Sequence, residues 1–149
     1  MTEIKRKAGA IWAGNLKKGK GLISTESQAL YEQSYSFGTR FEDAEGGSNP
    51  EELLAAAHAA CYSMAFANTL DQEGYQPLNI DTRATCIMEP LQGGGFEITR
   101  MVLNVRGEVK GIDEGTFQEV AEKADQGCPV SNMLRPGLEI EIQTQLISP

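Results

Sequence analysis

Residues 48–66, SNPEELLAAAHAACYSMAF, predict a long helix around which the fold is arranged. Asn49 can cap this helix, Pro50 suits its first position because a missing N–H needs no partner there, and Glu52 completes an Asn-x-x-Glu box. Beyond the first turn the stretch is apolar almost all round, and a helix without a polar face is normally surrounded by protein. Cys61 is therefore expected on a rigid, buried element, which makes it the first candidate for chemistry.

The composition of the 149-residue chain argues against several classes of partner. Its formal charge of −8 and pI near 4.7 do not fit a protein that binds nucleic acid or an anionic membrane, since no basic stripe offsets the acidic residues. The dense cationic run at residues 17–20 is typical of a solvated turn. No stretch of about 18 or more residues is apolar throughout, so we expect no membrane span.

Length and cysteine usage predict a single cytoplasmic domain over residues 1–149. A chain of this length is long enough to bury a core of its own. Residues 1–7 are charged and no apolar segment follows them, which does not fit a signal peptide. Three widely spaced cysteines do not make a secreted disulfide framework, so we expect reduced thiols.

The patterns on either side of the central helix predict an α+β fold. Alternating segments around a Lys/Gly turn predict a hairpin, a third extended segment follows, and an acidic loop at residues 42–48 leads into the helix. A second hairpin, a helical pattern and a last alternating segment come after it. The expected strands are residues 8–14, 21–27, 31–37, 78–88, 96–109 and 138–146. The expected helices are one that starts at residue 50 and ends near residues 72–74, and two over residues 113–127 and 129–134.

The three cysteines have different surroundings. Cys86 falls on the apolar side of a predicted strand and fits a small core residue. Cys61, on the long helix, fits either inert packing or a reactive thiol. Cys128 precedes Pro129 at a predicted helix start, an N-cap-like place where free N–H groups lower the pKa of a thiol. A cysteine that merely caps a helix would give the same pattern.

His58, the one histidine of the sequence, lies three residues before Cys61, so the two side chains are neighbours on a helix. Three interpretations stay open. The pair could be a Cys–His nucleophile, as in thiol hydrolases. It could be half of a metal site, although the sequence offers a poor set of further ligands. The plainest interpretation is a buried imidazole that is hydrogen-bonded to a carbonyl group.

The spacing of Glu51 and Cys61 limits how they can cooperate. Ten residues along one helix correspond to roughly 15 Å, which a carboxylate cannot bridge. Glu51 would have to act on the thiol of another chain, or the first helical turn would have to bend back. A helix that is apolar all round in so short a chain also suggests burial at a two-fold interface. We therefore expect a homodimer.

At this point the sequence resembles the OsmC/Ohr family, the osmotically inducible protein C and organic hydroperoxide resistance proteins, and is closest to the OsmC branch. The two segments that carry most of the likeness contain the long helix and Cys128. The similarity extends over essentially the whole chain. The matching segments are residues 37–41, 49–53, 56–61, 111–113 and 127–131.

The resemblance implies an intertwined α+β homodimer that reduces organic hydroperoxides to alcohols without haem, flavin or metal. Cys61 resembles the peroxidatic cysteine of the family and Cys128 the resolving one. Glu51 and Arg40 resemble the glutamate and the arginine beside the thiolate, supplied by either subunit. A sulfenic acid at Cys61 and a Cys61–Cys128 disulfide would form in turn, and a small dithiol or a lipoyl-bearing protein would restore both thiols.

Apolar walls around the buried thiol would favour alkyl or aryl hydroperoxides over hydrogen peroxide. Two other functions compete with the peroxidase: a non-catalytic member of the family that binds a ligand or partner, and a Cys–His acyl-transfer enzyme that uses Cys61 and His58. The candidate pocket residues are Tyr35, Phe37, Phe41, Met64, Phe66 and Met133.

Overall fold

A computed structural model describes residues 2–147, in which six strands and four helices form two compact units. The first unit ends at Leu53 and the second begins at Leu54. The elements follow the α+β order that the sequence predicts. A single domain over residues 1–149 stays a prediction.

The first unit contains a three-stranded antiparallel sheet. Its strands, in sheet order, are β1 (Ala8–Ala13), β2 (Lys20–Thr25) and β3 (Gln33–Tyr35). The hairpin predicted around the Lys/Gly turn is confirmed. Gly21 on β2 lies under the ring of Tyr35, where a Cβ would come within 2.3 Å of the ring, and the rings of Tyr35 and Trp12 lie 5.4 Å apart.

A short helix, α1 (Phe37–Phe41), follows β3 and begins at the last residue of the extended segment predicted over residues 31–37. The N–H of Thr39 donates to Ser36 Oγ at 3.2 Å, and the N–H of Ser36 donates to Thr39 Oγ1 at 2.9 Å. This reciprocal capping box pairs donors that a helix start otherwise leaves open. The sequence did not predict this helix because five residues are too few to show a helical period. Arg40 therefore projects from a capped helix.

The long helix, α2 (Pro50–Gln72), is confirmed. The N–H of Glu52 donates to Asn49 Oδ1 at 2.7 Å, which is the predicted cap. The Glu52 carboxylate in turn accepts from Ser48 Oγ at 2.6 Å. Gly74, with a φ of +88°, follows the end of the helix and supplies the left-handed conformation that stops it.

The second unit contains a three-stranded sheet in the order β4 (Gln76–Pro90), β5 (Phe96–Lys110) and β6 (Glu139–Ile147). Strands β4 and β5 form the predicted antiparallel hairpin, whereas β6 pairs with β5 in parallel. A parallel neighbour requires a crossover, which helices α3 (Glu114–Gln126) and α4 (Pro129–Leu134) provide. Both of these helices were predicted.

The core of the second unit lies between α2, α3 and β5. The rings of Phe66 and Phe117 lie 5.1 Å apart at its centre. Gly107 on β5 makes this possible, because a Cβ there would lie 2.6 Å from the Phe117 ring. The fully buried members are Tyr62, Phe66, Leu70, Met101, Leu103, Phe117, Ala121, Ala124 and Cys128.

In the single chain, helix α2 is buried on one face; the predicted burial on all sides would need the predicted second copy. Tyr62 and Phe66 lie in the core, but Ala56, Ala60 and Met64 are exposed in the single chain, Met64 to 76%. Alanines and a methionine at i, i+4 spacing form a low, apolar surface. The single chain therefore leaves open one apolar face of its longest helix.

By length and composition alone, α2 is also long and apolar enough to cross a membrane. An 18-residue window of the helix has a mean hydropathy of 1.2. The core helix of a soluble protein passes the same test, and 28% of this window is buried in the single chain. Its buried side packs on β5 and α3 and carries the polar ring of His58.

Candidate active site

Two thiols remote in the sequence meet in the second unit. Cys61 lies midway along α2, and Cys128 is the residue that caps α4. Their sulfur atoms are 3.5 Å apart although 67 positions separate the residues. No disulfide joins them in this structure. Cys61 is partly accessible, whereas Cys128 is fully buried.

The turn between α3 and α4 fixes the position of Cys128. Gly127 ends α3, and the N–H of Cys128 donates to the carbonyl of Asp125 at 3.3 Å. Pro129 takes the first position of α4, where its missing N–H costs nothing. The N–H of Ser131 then donates to Cys128 Sγ at 3.5 Å, so the sulfur takes the part that a Ser or Asp oxygen usually plays at an N-cap.

Opposing effects act on the Cys61 thiol. Burial raises its pKa because the thiolate loses water. A hydrogen bond from the backbone N–H of Val130, in the first turn of α4, favours the thiolate and lowers the pKa. The nearby Cys128 raises it again, and the net direction is upward. Within the second unit, the surroundings of Cys61 thus favour the neutral thiol over the thiolate.

His58 is fully buried, and its partner is Ser131. The distance from His58 Nε2 to Ser131 Oγ is 2.7 Å, and the tautomer decides which atom donates. The expected carbonyl partner was therefore wrong, because a hydroxyl on α4 takes that place. In the part of the chain described, His58 Nδ1 has no hydrogen-bond partner. Burial lowers the pKa of His58, Asp125 opposes this shift and Arg135 adds to it.

The last turn of α3 is tied to the end of α4. Arg135 forms an ion pair with Asp125 and also donates to Asn132 Oδ1 at 2.6 Å. Asn132 Nδ2 donates to the carbonyl of Gln126 at 2.9 Å. These bonds hold α4 against α3. They do not connect α4 to α2.

Arg40 and Glu51 form an ion pair within the first unit. Arg40 Nε donates to both carboxylate oxygens, at 3.1 and 3.2 Å, and Nη2 donates to Oε1 at 2.7 Å. The Glu51 side chain is 10% exposed and that of Arg40 37%, so the carboxylate is covered while the guanidinium keeps an open side. This two-pronged geometry fixes the plane of the guanidinium.

An apolar cavity of about 440 Å³ opens beside Arg40 in the first unit. The Arg40 guanidinium also lies over the ring of Phe41, 5.1 Å from its centre. Three of the predicted pocket residues, Tyr35, Phe37 and Phe41, line this cavity. Trp12 and Leu16, which are not among the predicted pocket residues, also line it.

The other predicted pocket residues lie elsewhere. Phe66 is a core residue packed between Tyr62 and Phe117 and has no exposed surface, so its assignment to a pocket was wrong. Met64 and Met133 are exposed to 76% and 66% in the single chain. Hydrophobicity alone could not distinguish these three environments.

Sequence reasoning missed two groups that act on the thiols. Ser131 was not singled out, because its partner His58 is 73 positions away and no local pattern links them. The backbone N–H of Val130 carries no sequence signal at all. Over residues 2–147, no three His, Cys, Asp or Glu side chains cluster as metal ligands would.

Comparison with known sequences gives consistent matches. The family profile described as OsmC-like protein matches residues 42–143. Peroxiredoxin OsmC of Escherichia coli strain K12 is 46% identical over 140 residues, covering 94% of this chain and 96% of that protein. An organic hydroperoxide resistance protein of Xanthomonas axonopodis pv. citri is 33% identical over 99 residues, covering 64% and 66% of the two chains.

Solved structures share the fold at low sequence identity. An OsmC-like protein from Mycoplasma pneumoniae superposes with a TM-score of 0.74 at 15% identity and covers 98% of this chain and 99% of its own. The organic hydroperoxide resistance protein OhrB of Bacillus subtilis gives 0.72 at 20% identity and covers 93% and 98%.

Proposed function

This chain belongs to the OsmC-like protein family, and from that premise we propose that it is a thiol-dependent peroxidase that reduces organic hydroperoxides to alcohols. In this proposal Cys61 is oxidised first, Cys128 resolves it, and an external dithiol recycles the pair. The relatives named peroxiredoxin and organic hydroperoxide resistance protein support the reaction class.

The observation that carries the proposal is the 3.5 Å between the sulfur atoms of Cys61 and Cys128. A disulfide needs about 2.0 Å between its sulfurs, so closure requires a movement of about 1.5 Å. The two thiols, 67 positions apart in the sequence, are therefore close enough to form the bond after a small movement.

Accessibility supports the order in which the two thiols react. Cys61 is partly exposed and Cys128 is fully buried, so a peroxide reaches the sulfur of Cys61 more readily. The thiolate of Cys61 attacks the outer peroxide oxygen and the O–O bond breaks. The alkoxide takes up a proton and leaves as alcohol, and Cys61 becomes a sulfenic acid.

The remaining steps return the enzyme to its dithiol form. The Cys128 sulfur attacks the sulfenic sulfur, water leaves, and the Cys61–Cys128 disulfide forms. A small external dithiol or a lipoyl-bearing protein reduces this disulfide to two thiols and is itself oxidised to a disulfide. The proposed cycle uses the two protein thiols and that dithiol, without a bound cofactor.

A cation is needed because burial raises the pKa of Cys61. We assign this part to Arg40, whose charge is permanent, and the orientation of its guanidinium to Glu51. In the proposed homodimer, the Arg40 guanidinium lies beside a Cys61 thiolate. Either the same subunit or the other one supplies this Arg40. The apolar cavity beside Arg40 would take the alkyl or aryl part of the hydroperoxide.

The hydrogen bond of His58 argues against the acyl-transfer alternative. A general base for Cys61 must reach its thiol at hydrogen-bond distance. The hydrogen bond of His58 instead goes to Ser131, from Nε2, and His58 Nδ1 has no partner among the residues described.

Thiol counting tests the proposal. We expect one equivalent of cumene hydroperoxide to remove two of the three thiols of the reduced protein. Cys61→Ser should lose none, and Cys128→Ser should stop after one turnover with a trappable sulfenic acid. Cys86→Ser is the matched control and should still lose two thiols. A wild-type protein that keeps all three thiols would be a non-catalytic member of the family.

A further inference from the structure

We infer that His58 and Ser131 are positioning residues that hold the resolving thiol of Cys128 against Cys61, an inference that rests on the proposed function. His58 lies on α2 three residues before Cys61, and Ser131 lies on α4 three residues after Cys128. Their side chains meet at 2.7 Å and both residues are fully buried. This hydrogen bond joins the helix of one thiol to the helix that begins at the other.

The first turn of α4 extends this connection to both sulfur atoms. The N–H of Ser131 donates to Cys128 Sγ at 3.5 Å, and the N–H of Val130 donates a hydrogen bond to Cys61. Consecutive residues of one helical turn move together, so a displacement of Ser131 also displaces the donors at both sulfurs. The His58–Ser131 bond therefore sets the register between α2 and α4 at the place where the disulfide must close.

The cost of keeping His58 in the core supports a positioning role. Its Nδ1 is buried without a hydrogen-bond partner in the described structure, and such an atom lowers stability. An apolar side chain of similar size would avoid that loss. The imidazole is useful here because Nε2 reaches the Ser131 hydroxyl.

Removal of the bond should loosen α4 on one side only. The ion pair of Arg135 with Asp125 would still hold α4 to α3. Closing the disulfide takes about 1.5 Å of movement from the present 3.5 Å. A misplacement of about 1 Å can slow a reaction between positioned groups on the order of 100-fold. The expected defect is therefore in closure of the disulfide, with the fold retained.

The experiment compares Ser131→Ala, which removes one oxygen atom, with Tyr62→Phe as a matched control. Tyr62 is also buried on α2, and its hydroxyl donates to the carbonyl of Ala121 on α3 at 2.7 Å, not to a residue of α4. Each reduced protein receives one equivalent of cumene hydroperoxide and is quenched with dimedone. Mass spectrometry then gives the ratio of trapped Cys61 sulfenic acid to internal disulfide. We expect this ratio to rise about tenfold or more in Ser131→Ala and to stay within about twofold in Tyr62→Phe.

A second arm uses glutathione disulfide and needs no peroxidase activity. Cys61 attacks it, one glutathione leaves, and a mixed disulfide forms; Cys128 then attacks the mixed disulfide and releases a second glutathione. Slow closure should raise the ratio of mixed to internal disulfide in Ser131→Ala by a similar factor. If the wild type does not react with hydroperoxide but the variants give the expected ratios with glutathione disulfide, the proposed function is refuted and this inference stands.

Two results would overturn the inference. One is a ratio of mixed to internal disulfide, measured with glutathione disulfide, that differs by less than about twofold between Ser131→Ala and the wild type. The other is an equal shift in Tyr62→Phe, which would mean that any lost core hydrogen bond has this effect. Melting temperatures are measured for all variants. If Ser131→Ala does not fold, His58→Gln is judged by the same ratio and the same control.

Discussion

At the scale of single residues, ionisation of Cys61 is the central difficulty of the proposed chemistry. Burial raises the pKa of this thiol, and one backbone N–H from Val130 does not reverse the shift. Thiolates, not thiols, attack peroxides. A fixed positive charge is the direct remedy, and Arg40, with its plane set by Glu51, is the candidate that the proposed function names.

Arg40→Met should therefore slow the reaction of Cys61 with cumene hydroperoxide at pH 7. Loss of an adjacent cation typically raises the pKa of an anionic group by about 1–3 units, which means roughly 10- to 1,000-fold less thiolate. The pH dependence of thiol alkylation by iodoacetamide, with Cys86 and Cys128 changed to serine, measures the shift.

Arg83→Met is the control for that substitution. Arg83 pairs with Asp81 on the surface of β4, so its loss removes an equivalent charge from an exposed ion pair. The alkylation profile should not move. An equal shift in both variants would mean that net charge, and not the guanidinium of Arg40, controls the thiol.

His58 predicts a dependence of stability on pH. Its pKa in the folded protein lies below the ordinary 6.5, because burial penalises the charged ring. Between the lowered pKa and 6.5 the unfolded chain binds a proton that the folded chain does not, so the free energy of unfolding falls as the pH drops through this window. Below the folded-state pKa the loss is complete.

Urea denaturation at pH 7 and pH 5 measures this effect. The wild type should lose more stability between these values than His58→Gln, because the other titrating groups cancel in the comparison. Equal losses would show that the ring is not held neutral by the fold. Asp125, which opposes the shift, and Arg135, which adds to it, are kept in both proteins.

The residues that the sequence could and could not identify differ in the range of their contacts. Cys61, Cys128, Arg40 and Glu51 were named from segments that resemble a family, and the structure pairs the two thiols and, separately, the two charged groups. Ser131 escaped notice because its role comes from a contact between distant helices. A tertiary hydrogen bond leaves no periodic or local pattern in the sequence.

At the scale of elements, prediction succeeded where period and caps agree. Helix α2 begins at Pro50 and stops before Gly74 as its caps indicate. Helix α1 was missed because one turn has no period, and its capping box uses Thr39 in place of Glu. The parallel pairing of β6 with β5 could not be predicted from alternation, which is the same for both directions.

Gly107→Ala should destabilise the second unit. A Cβ at this position would lie 2.6 Å from the Phe117 ring, which the core holds in place, so the ring or the strand must shift. Overpacking of this kind costs about 1–3 kcal/mol. Chemical denaturation measures the loss. Gly9→Ala is the control: its Cβ would have no neighbour within 4 Å, and its stability should stay within about 0.5 kcal/mol of the wild type.

At the scale of the whole molecule, the exposed apolar face of α2 is a surface where a second copy of the chain can pack. Ala56, Ala60 and Met64 present an apolar surface on the longest helix of the chain. Small residues allow close approach of another backbone, and a two-fold axis would place the same face of a second copy against it. The sequence predicted complete burial of α2; the single chain leaves this face open, which is consistent with the predicted homodimer.

Ala60→Arg should therefore disrupt the assembly. We expect the wild type to sediment with about twice the chain mass of 16.2 kDa and the variant to sediment as a single chain at micromolar concentration, because a buried, unpaired guanidinium is costly. Leu91→Arg, at an exposed apolar residue in the turn between β4 and β5, is the control and should leave the mass unchanged.

If the Arg40 guanidinium comes from the other subunit, Ala60→Arg should also lose peroxidase activity while its Cys61–Cys128 disulfide still forms with glutathione disulfide. A wild type that sediments as a monomer with full activity would instead require each chain to supply its own Arg40.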